Sequence, residues 1–391
     1  GVRYVITLDA DTRLRRGTRL YSRESAPCPI LHDCADELHR GAPAPRPRPR
    51  RPAPDHARQP GPPEPPHTAA GPPPPRAPGP GGPTAPDTPG RRRGARIVAT
   101  AVEHSAILTT GRYYAAQAED PSWFAEVPVD GVGRVDLSAL EQAAAVPRTV
   151  VAAVQSSNGE IGTRQPLDRA HELCLARGIP LLVDAMASLG RDPTPSHFDV
   201  MAGDARSWGG PPGLGVLVVP ERTRWRRPGP VSEIEHGRTD VDPVVAIALA
   251  AAEAWHQNEA TRLDEATRSL AIIERLRAAV GGLRDVDVVG DPEDCLPHVL
   301  TFSLLYVDGE ALATELDRRG YAVGSGSACN SSTLQASHVL AATGALTHGN
   351  IRITLPLQAI APNLDSDVDR FIAELPAAVA AIRSHLGASG L

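Results

Sequence analysis

From His39 to Arg96 the chain carries no Val, Ile, Leu, Met, Phe, Trp, Tyr or Cys, and 20 of its 40 prolines fall between Pro43 and Pro89. A segment with nothing apolar to bury cannot offset the entropy lost on ordering, so it reads as disordered or polyproline-like rather than as a domain. Any sizeable core must be built from Ile97 onward. The 391 residues are 41% hydrophobic, which leaves enough material there for one large α/β unit and a smaller one.

The charge balance narrows the partners. A formal charge of -6 gives no general attraction to nucleic acid or to an anionic membrane surface, although arginines crowd between Arg46 and Arg51 and between Arg91 and Arg93. All 40 Lys and Arg positions are arginine; the chain has no lysine. Its five cysteines, Cys28, Cys34, Cys174, Cys295 and Cys329, are an odd number without CxxC spacing. That pattern argues against a disulfide framework and against a zinc site, no metal ligand set is read, and a reducing cytoplasm is expected. No apolar run reaches transmembrane length and no charged-then-apolar leader stands at the start. The chain begins at Gly1 and its first methionine is Met186, so its N-terminus is read as truncated.

Beyond Ile97 apolar runs alternate with amphipathic stretches, the pattern of a mainly parallel α/β sheet. Strands are expected at Val150 to Val154, Ile179 to Val183 and Gly213 to Val219, with a helix from Asp168 to Arg177 closed by Gly178. Asp242 to Val280 predicts a long alanine-rich helical region, broken near Asn258, that links two lobes. A smaller α/β lobe is expected from Val299 to Leu305, a helix at Gly309 to Arg319, a Gly/Ser-rich loop around Cys329, and Ile351 to Leu355. The resulting division is 1–95, 96–260 and 261–391.

Several short blocks share one source. Gly324-Ser325-Gly326-Ser327-Ala328-Cys329-Asn330-Ser331-Ser332 is followed by Ala336-Ser337-His338-Val339-Leu340 and by Asn350-Ile351-Arg352. Upstream, in order, stand Val102-Glu103-His104-Ser105-Ala106-Ile107-Leu108, Asn158-Gly159-Glu160-Ile161-Gly162-Thr163, Val183-Asp184-Ala185, Gly210-Pro211-Pro212-Gly213 and Pro297-His298-Val299-Leu300-Thr301-Phe302-Ser303. Together they resemble the cysteine desulfurases of the class V aminotransferase family, from about Ile97 to the C-terminus. The resemblance implies the pyridoxal phosphate-dependent transferase-like fold type I: a large domain with a mainly parallel sheet and a smaller C-terminal α/β domain, built to dimerise. It implies pyridoxal phosphate as cofactor, cysteine as substrate, sulfur transfer to a cysteine persulfide and onward to an acceptor protein, and a place in iron–sulfur cluster assembly.

Residue by residue, the resemblance makes Asp184 the carboxylate that keeps the ring nitrogen protonated, at the strand end where such folds bind ligands. By position alone it is equally an aspartate capping the following turn. His104 would stack on the ring and shuttle protons; as a lone histidine beside Glu103 it would more often be structural, so its role depends on the family match. Cys329, among Gly and Ser, suits an accessible thiolate nucleophile. Arg352, in an apolar strand, would grip a substrate carboxylate in bidentate fashion, the other reading being an internal ion pair. Asn158 matches an asparagine that contacts the cofactor's phenolic oxygen. Thr239, in Gly237-Arg238-Thr239-Asp240, matches a threonine that reaches the phosphate across a dimer interface.

The departures are specific. Ser207, in Ala205-Arg206-Ser207-Trp208-Gly209-Gly210-Pro211, stands where the family has its Schiff-base lysine, and a hydroxyl cannot form that link, so the cofactor would not be covalently attached. Ala187 replaces a glutamine that contacts the phenolic oxygen, and Gly159 replaces a second asparagine. The family's phosphate loop belongs upstream of Glu103, where the proline-rich segment lies. Leu8-Asp9-Ala10-Asp11-Thr12 resembles the family's opening strand at the usual distance from His104, so residues 20–94 read as an out-of-frame stretch of a GC-rich gene, which transcript sequencing would test. The same opening resembles the Asp-x-Asp turn of glycosyltransferases, and nothing downstream extends that likeness. Two further readings stand beside the desulfurase one: an inactive homologue that binds a partner or carries a persulfide on Cys329, and weak catalysis with the cofactor held non-covalently.

Overall fold

The computed structural model describes residues 2–8, 20–24, 96–224, 244–325 and 336–385, with backbone alone for the first two stretches. Residues 25–95, which hold the proline-rich segment, lie outside the described residues, and with them the expectations for that part of 20–94.

In chain order the elements are β1 (Val2–Leu8), β2 (Leu20–Glu24), β3 (Arg96–Thr100), α1 (Ser105–Gln117), β4 (Phe124–Val127), α2 (Leu137–Ala145), β5 (Thr149–Ala153), α3 (Leu167–Ala176), β6 (Leu181–Asp184), β7 (Val200–Asp204) and β8 (Leu214–Val218). They are followed by α4 (Val245–Gly281), β9 (Val286–Val289), β10 (Val299–Leu304), α5 (Gly309–Arg318), α6 (His338–Thr343), β11 (Asn350–Thr354) and α7 (Leu364–His385). The strands and helices expected from apolar runs and glycines are present, with ends shifted by a residue or two.

The first eight strands form one sheet in the order β2-β1-β8-β7-β6-β5-β3-β4. β4, β3, β5, β6 and β7 run parallel, whereas β8 pairs antiparallel with β7 and parallel with β1. Alternate residues bury opposite faces, as a sheet covered on both sides requires. Val98, Ala152, Leu181 and Val183 join one core, and Ile97, Ala99, Val151, Ala153 and Leu182 the other.

The strand order also locates a crevice. From β3 the chain steps outward to β4, then returns to the opposite side of β3 to form β5, β6 and β7. The progression reverses between β3 and β5, and open α/β sheets bind ligands outside the carboxyl ends of the strands at such a switch point.

A second, antiparallel sheet, β11-β10-β9, packs with α4, α5 and α7 around Ile272, Leu276, Leu300, Phe302, Leu312 and Phe371. Helix α4 serves both lobes: Ala248 and Ala251 pack on the large sheet, while Ile272, Ile273, Leu276 and Val280 pack on the small one. It runs unbroken through Asn258, unlike the sequence expectation, because Asn258 is buried against the Gly190 turn rather than ending the helix. Among the described residues no helix is long and apolar enough to cross a membrane.

Candidate active site at the strand ends

The C-terminal ends of β3, β5, β6 and β7 bring four of the sequence-identified residues to one edge. After β3 a short turn leads to His104, which caps the N-terminus of α1: its Nδ1 accepts from the Ala106 N–H at 3.2 Å. In a neutral ring the proton therefore sits on Nε2, and His104 is exposed. Below it Glu103 is 0% exposed. Its Oε1 accepts from Thr100 Oγ1 and from the Gln155 N–H, each at 2.7 Å, while Oε2 is enclosed without a hydrogen-bond partner.

The segment after β5 is tied to the same turn. The Val102 carbonyl accepts from Gln155 Nε2 at 2.8 Å and from Asn158 Nδ2 at 3.1 Å. Asn158 Oδ1 accepts from the Glu160 and Ile161 N–H groups at 2.8 and 2.9 Å. This asparagine therefore shapes its loop, and by the amide's donor count it keeps one N–H for a ligand.

Asp184 closes β6. Its Oδ1 accepts from the Met186 N–H at 2.9 Å, so it does cap its turn, and its carbonyl accepts from the Ser156 N–H at 2.7 Å. Burial raises the Asp184 carboxyl above the ordinary range, opposed by the Met186 N–H and by His104. Burial likewise pushes Glu103 up to about 8, with the Asp184 charge adding to the rise and the Thr100 and Gln155 hydrogen bonds opposing it. Capping and charge are two functions of one carboxylate here.

Beyond β7, residues Ala205–Trp208 form a single 3₁₀ turn. Trp208 anchors it, donating from Nε1 to the Ala251 carbonyl at 3.0 Å and meeting Trp255 edge to face. Gly190 lets the loop after Asp184 approach this turn: its φ is +76°, and a Cβ there would lie 2.3 Å from Trp208 Cβ. Ser207 is half-buried and donates from Oγ to the Met186 carbonyl at 2.6 Å. Ser207 thus points at the Asp184 loop, with its hydroxyl committed to that loop's backbone. The other two departures are neighbours: a Cβ on Gly159 would sit 3.3 Å from Ala187 Cβ.

Arg352 belongs to the small sheet. Its backbone forms a two-way bridge with Gly324, 2.8 and 2.9 Å. Its guanidinium is half-buried and makes no ion pair with any described residue. Buried Glu160 faces the same region: burial raises its carboxyl, and Ser337, Arg352 and His338 pull it down. His338 in turn donates from Nε2 to the Glu103 carbonyl at 2.9 Å, so the start of α6 rests on the turn that carries His104. Cys329 and Thr239 lie outside the described residues. Cys174 and Cys295 are buried free thiols raised chiefly by burial, Cys174 to about 12, which makes both poor nucleophiles.

Glu103, Gln155, Glu160 and His338 were missed as site residues. Three of them stand inside the quoted blocks. An acidic residue directly after an apolar strand was the available signal for Glu103, since such a side chain has to be buried or paired.

Residues 87–370 match the family profile described as Aminotransferase class-V. Over 303 residues the chain is 32% identical to the cysteine desulfurase IscS 1 of Archaeoglobus fulgidus, covering 75% of this chain and 76% of that protein. It is 32% identical over 278 residues to the cysteine desulfurase IscS of Photorhabdus laumondii, covering 68% of this chain and 66% of that protein. A solved NifS-like protein superposes with a TM-score of 0.63 at 24% identity, over 73% of this chain and 75% of that one.

Proposed function

Since this chain belongs to the class V aminotransferase family, we propose that it is a cysteine desulfurase-like protein that holds pyridoxal phosphate without a covalent link and turns over slowly. The observation that carries this reading is Ser207. It occupies the lysine position, its Oγ is spent on the Met186 carbonyl, and the chain has no lysine elsewhere.

The residues fit the cofactor's ring and not its usual anchor. Asp184, at the end of β6 with His104 favouring its charged form, suits a protonated ring nitrogen. Asn158 keeps an N–H for the phenolic oxygen. When bound, pyridoxal phosphate supplies an electron sink for the substrate's Cα. Arg352 would bind the substrate α-carboxylate in bidentate fashion, with Glu160 nearby limiting how far the guanidinium swings. His104, its Nδ1 engaged, handles protons at Nε2 alone. Ser207 cannot take the Cα proton, because a hydroxyl is too weak a base. The Cys329 thiolate would attack the substrate sulfur: the S–S bond forms as the C–S bond breaks, the carbon takes up a proton, and alanine leaves. Losing a positioned general base costs about 10²–10⁴-fold in rate.

The same reading includes a homodimer with Thr239 reaching toward the cofactor phosphate, an acceptor protein for the sulfur serving iron–sulfur cluster assembly, a cytoplasmic setting, and a lobe division near residue 260, inside α4. Equilibrium titration of purified protein with pyridoxal phosphate, followed by cysteine and a sulfide assay, tests the core of it. The expected result is reversible cofactor binding, removed by dialysis, with sulfide release about 10²–10⁴-fold below a lysine-bearing relative assayed alongside. Normal turnover, or no cofactor binding at all, would contradict it.

A further inference from the structure

Glu103 is a fully buried carboxyl to which the proposed chemistry gives no task. One oxygen is clasped by Thr100 Oγ1 and the Gln155 N–H; the other is enclosed and meets no donor. The titratable groups around it are Asp184 from β6, His104 on its own turn and His338 from α6. None of them neutralises it: Asp184 carries the same sign, His104 acts on Asp184, and His338 spends its Nε2–H on the Glu103 backbone carbonyl. Among the described residues no arginine or histidine forms an ion pair with the Glu103 carboxylate. Two neighbouring carboxyls in one buried site cannot both ionise cheaply, and the negative charge stays on the one that a cation favours. His104 favours the charged form of Asp184, whereas among the described residues no cation acts on Glu103, whose hydrogen bonds all fall on Oε1 and whose Oε2 is enclosed.

We propose that Glu103 is a positioning residue for the Asp184 pocket: as a neutral acid it ties the β3 turn to the end of β5, fixes the turn that presents His104, and leaves the negative charge of the pair on Asp184. Its importance to the cofactor rests on the proposed function; the proton on Glu103 does not.

The test uses the cofactor-free chain first. A carboxyl that ionises near its ordinary value when unfolded but is pushed up to about 8 when folded stabilises fully at low pH. That contribution is lost as pH rises toward 8, because the unfolded chain releases the proton first. Glu103→Gln keeps an acceptor for Thr100 and Gln155 and cannot ionise. The melting temperature of Glu103→Gln relative to wild type should therefore rise steadily from pH 5 to pH 8 and level off above. A difference that is flat, or that falls with pH, would overturn the proposal, since it would mean an ordinary or a stabilising carboxylate. At pH 7 pyridoxal phosphate is then titrated into both proteins and into Glu103→Ala. Glu103→Gln should bind within about threefold of wild type, and Glu103→Ala at least about tenfold more weakly, because it loses both clasping hydrogen bonds. A Glu103→Gln loss as large as that of Glu103→Ala would refute the neutral-acid role. If Glu103→Ala does not fold, the pH series on Glu103→Gln still decides. If wild type does not bind pyridoxal phosphate, the proposed function fails, while the cofactor-free series still decides the state of Glu103.

Discussion

The Asp184 edge of the large sheet and the Arg352 region of the small one differ in how side chains and backbone share the support of the fold. At the large edge, the positions that match the family motif also hold up the backbone. Asn158 makes three hydrogen bonds, Asp184 caps its turn and Glu103 joins two strand ends. The positions that depart, Ser207, Ala187 and Gly159, bear little of that load: one hydroxyl contact and one pair of small side-chain positions. At β11 the division runs within a single residue, since the Arg352 backbone is bridged to Gly324 while its guanidinium makes no described ion pair. The atoms that shape this edge thus belong to other residues than the ones at which the chain departs from the family motif.

That contrast can be broken most forcefully at Asn158. Asn158→Ala leaves the Glu160 and Ile161 N–H groups without their acceptor and the Val102 carbonyl with Gln155 alone, and should cost about 2–4 kcal/mol in urea unfolding. A loss below about 1 kcal/mol would show that this residue does not support the edge. Arg352→Ala sharpens the other side. It should weaken cysteine binding by about 2–3 kcal/mol, the worth of a bidentate charged contact, and leave pyridoxal phosphate binding within about threefold. Equal loss of both ligands would mean the two regions are not separable. The smallest effect belongs to Ser207→Ala, which removes one hydrogen bond to the Met186 carbonyl and should lower stability by about 1 kcal/mol. A larger fall would give the hydroxyl a structural role that its single contact does not suggest.

Much of the architecture was legible in the sequence because its signals are local. Apolar runs such as Val150 to Val154, closed by small or polar residues, place strands, and Gly178, in the left-handed region at φ +62°, stops α3. The continuous α4 was not legible: Asn258 reads as a helix breaker, and its burial against Gly190 depends on residues far away in sequence. The antiparallel β8 was likewise hidden, since an apolar run does not carry strand direction. The same divide runs through the site. His104, Asp184, Asn158 and Ser207 stand in recognisable blocks, and the sheet brings them to one edge. The Glu103 clasp joins partners from different strands, and the contact of His338 with Glu103 crosses between lobes, so neither has a local signature.

The central claim, a family pocket without a covalent anchor, is tested most directly by borohydride reduction of the protein with saturating pyridoxal phosphate, then peptide mass mapping across residues 96–385. The expected map carries no pyridoxyl group on any side chain in that span, since none of them is an amine. A pyridoxyl-modified peptide from the Asp184 or Ser207 segments would show that another side chain has taken over the anchor, and would contradict the account.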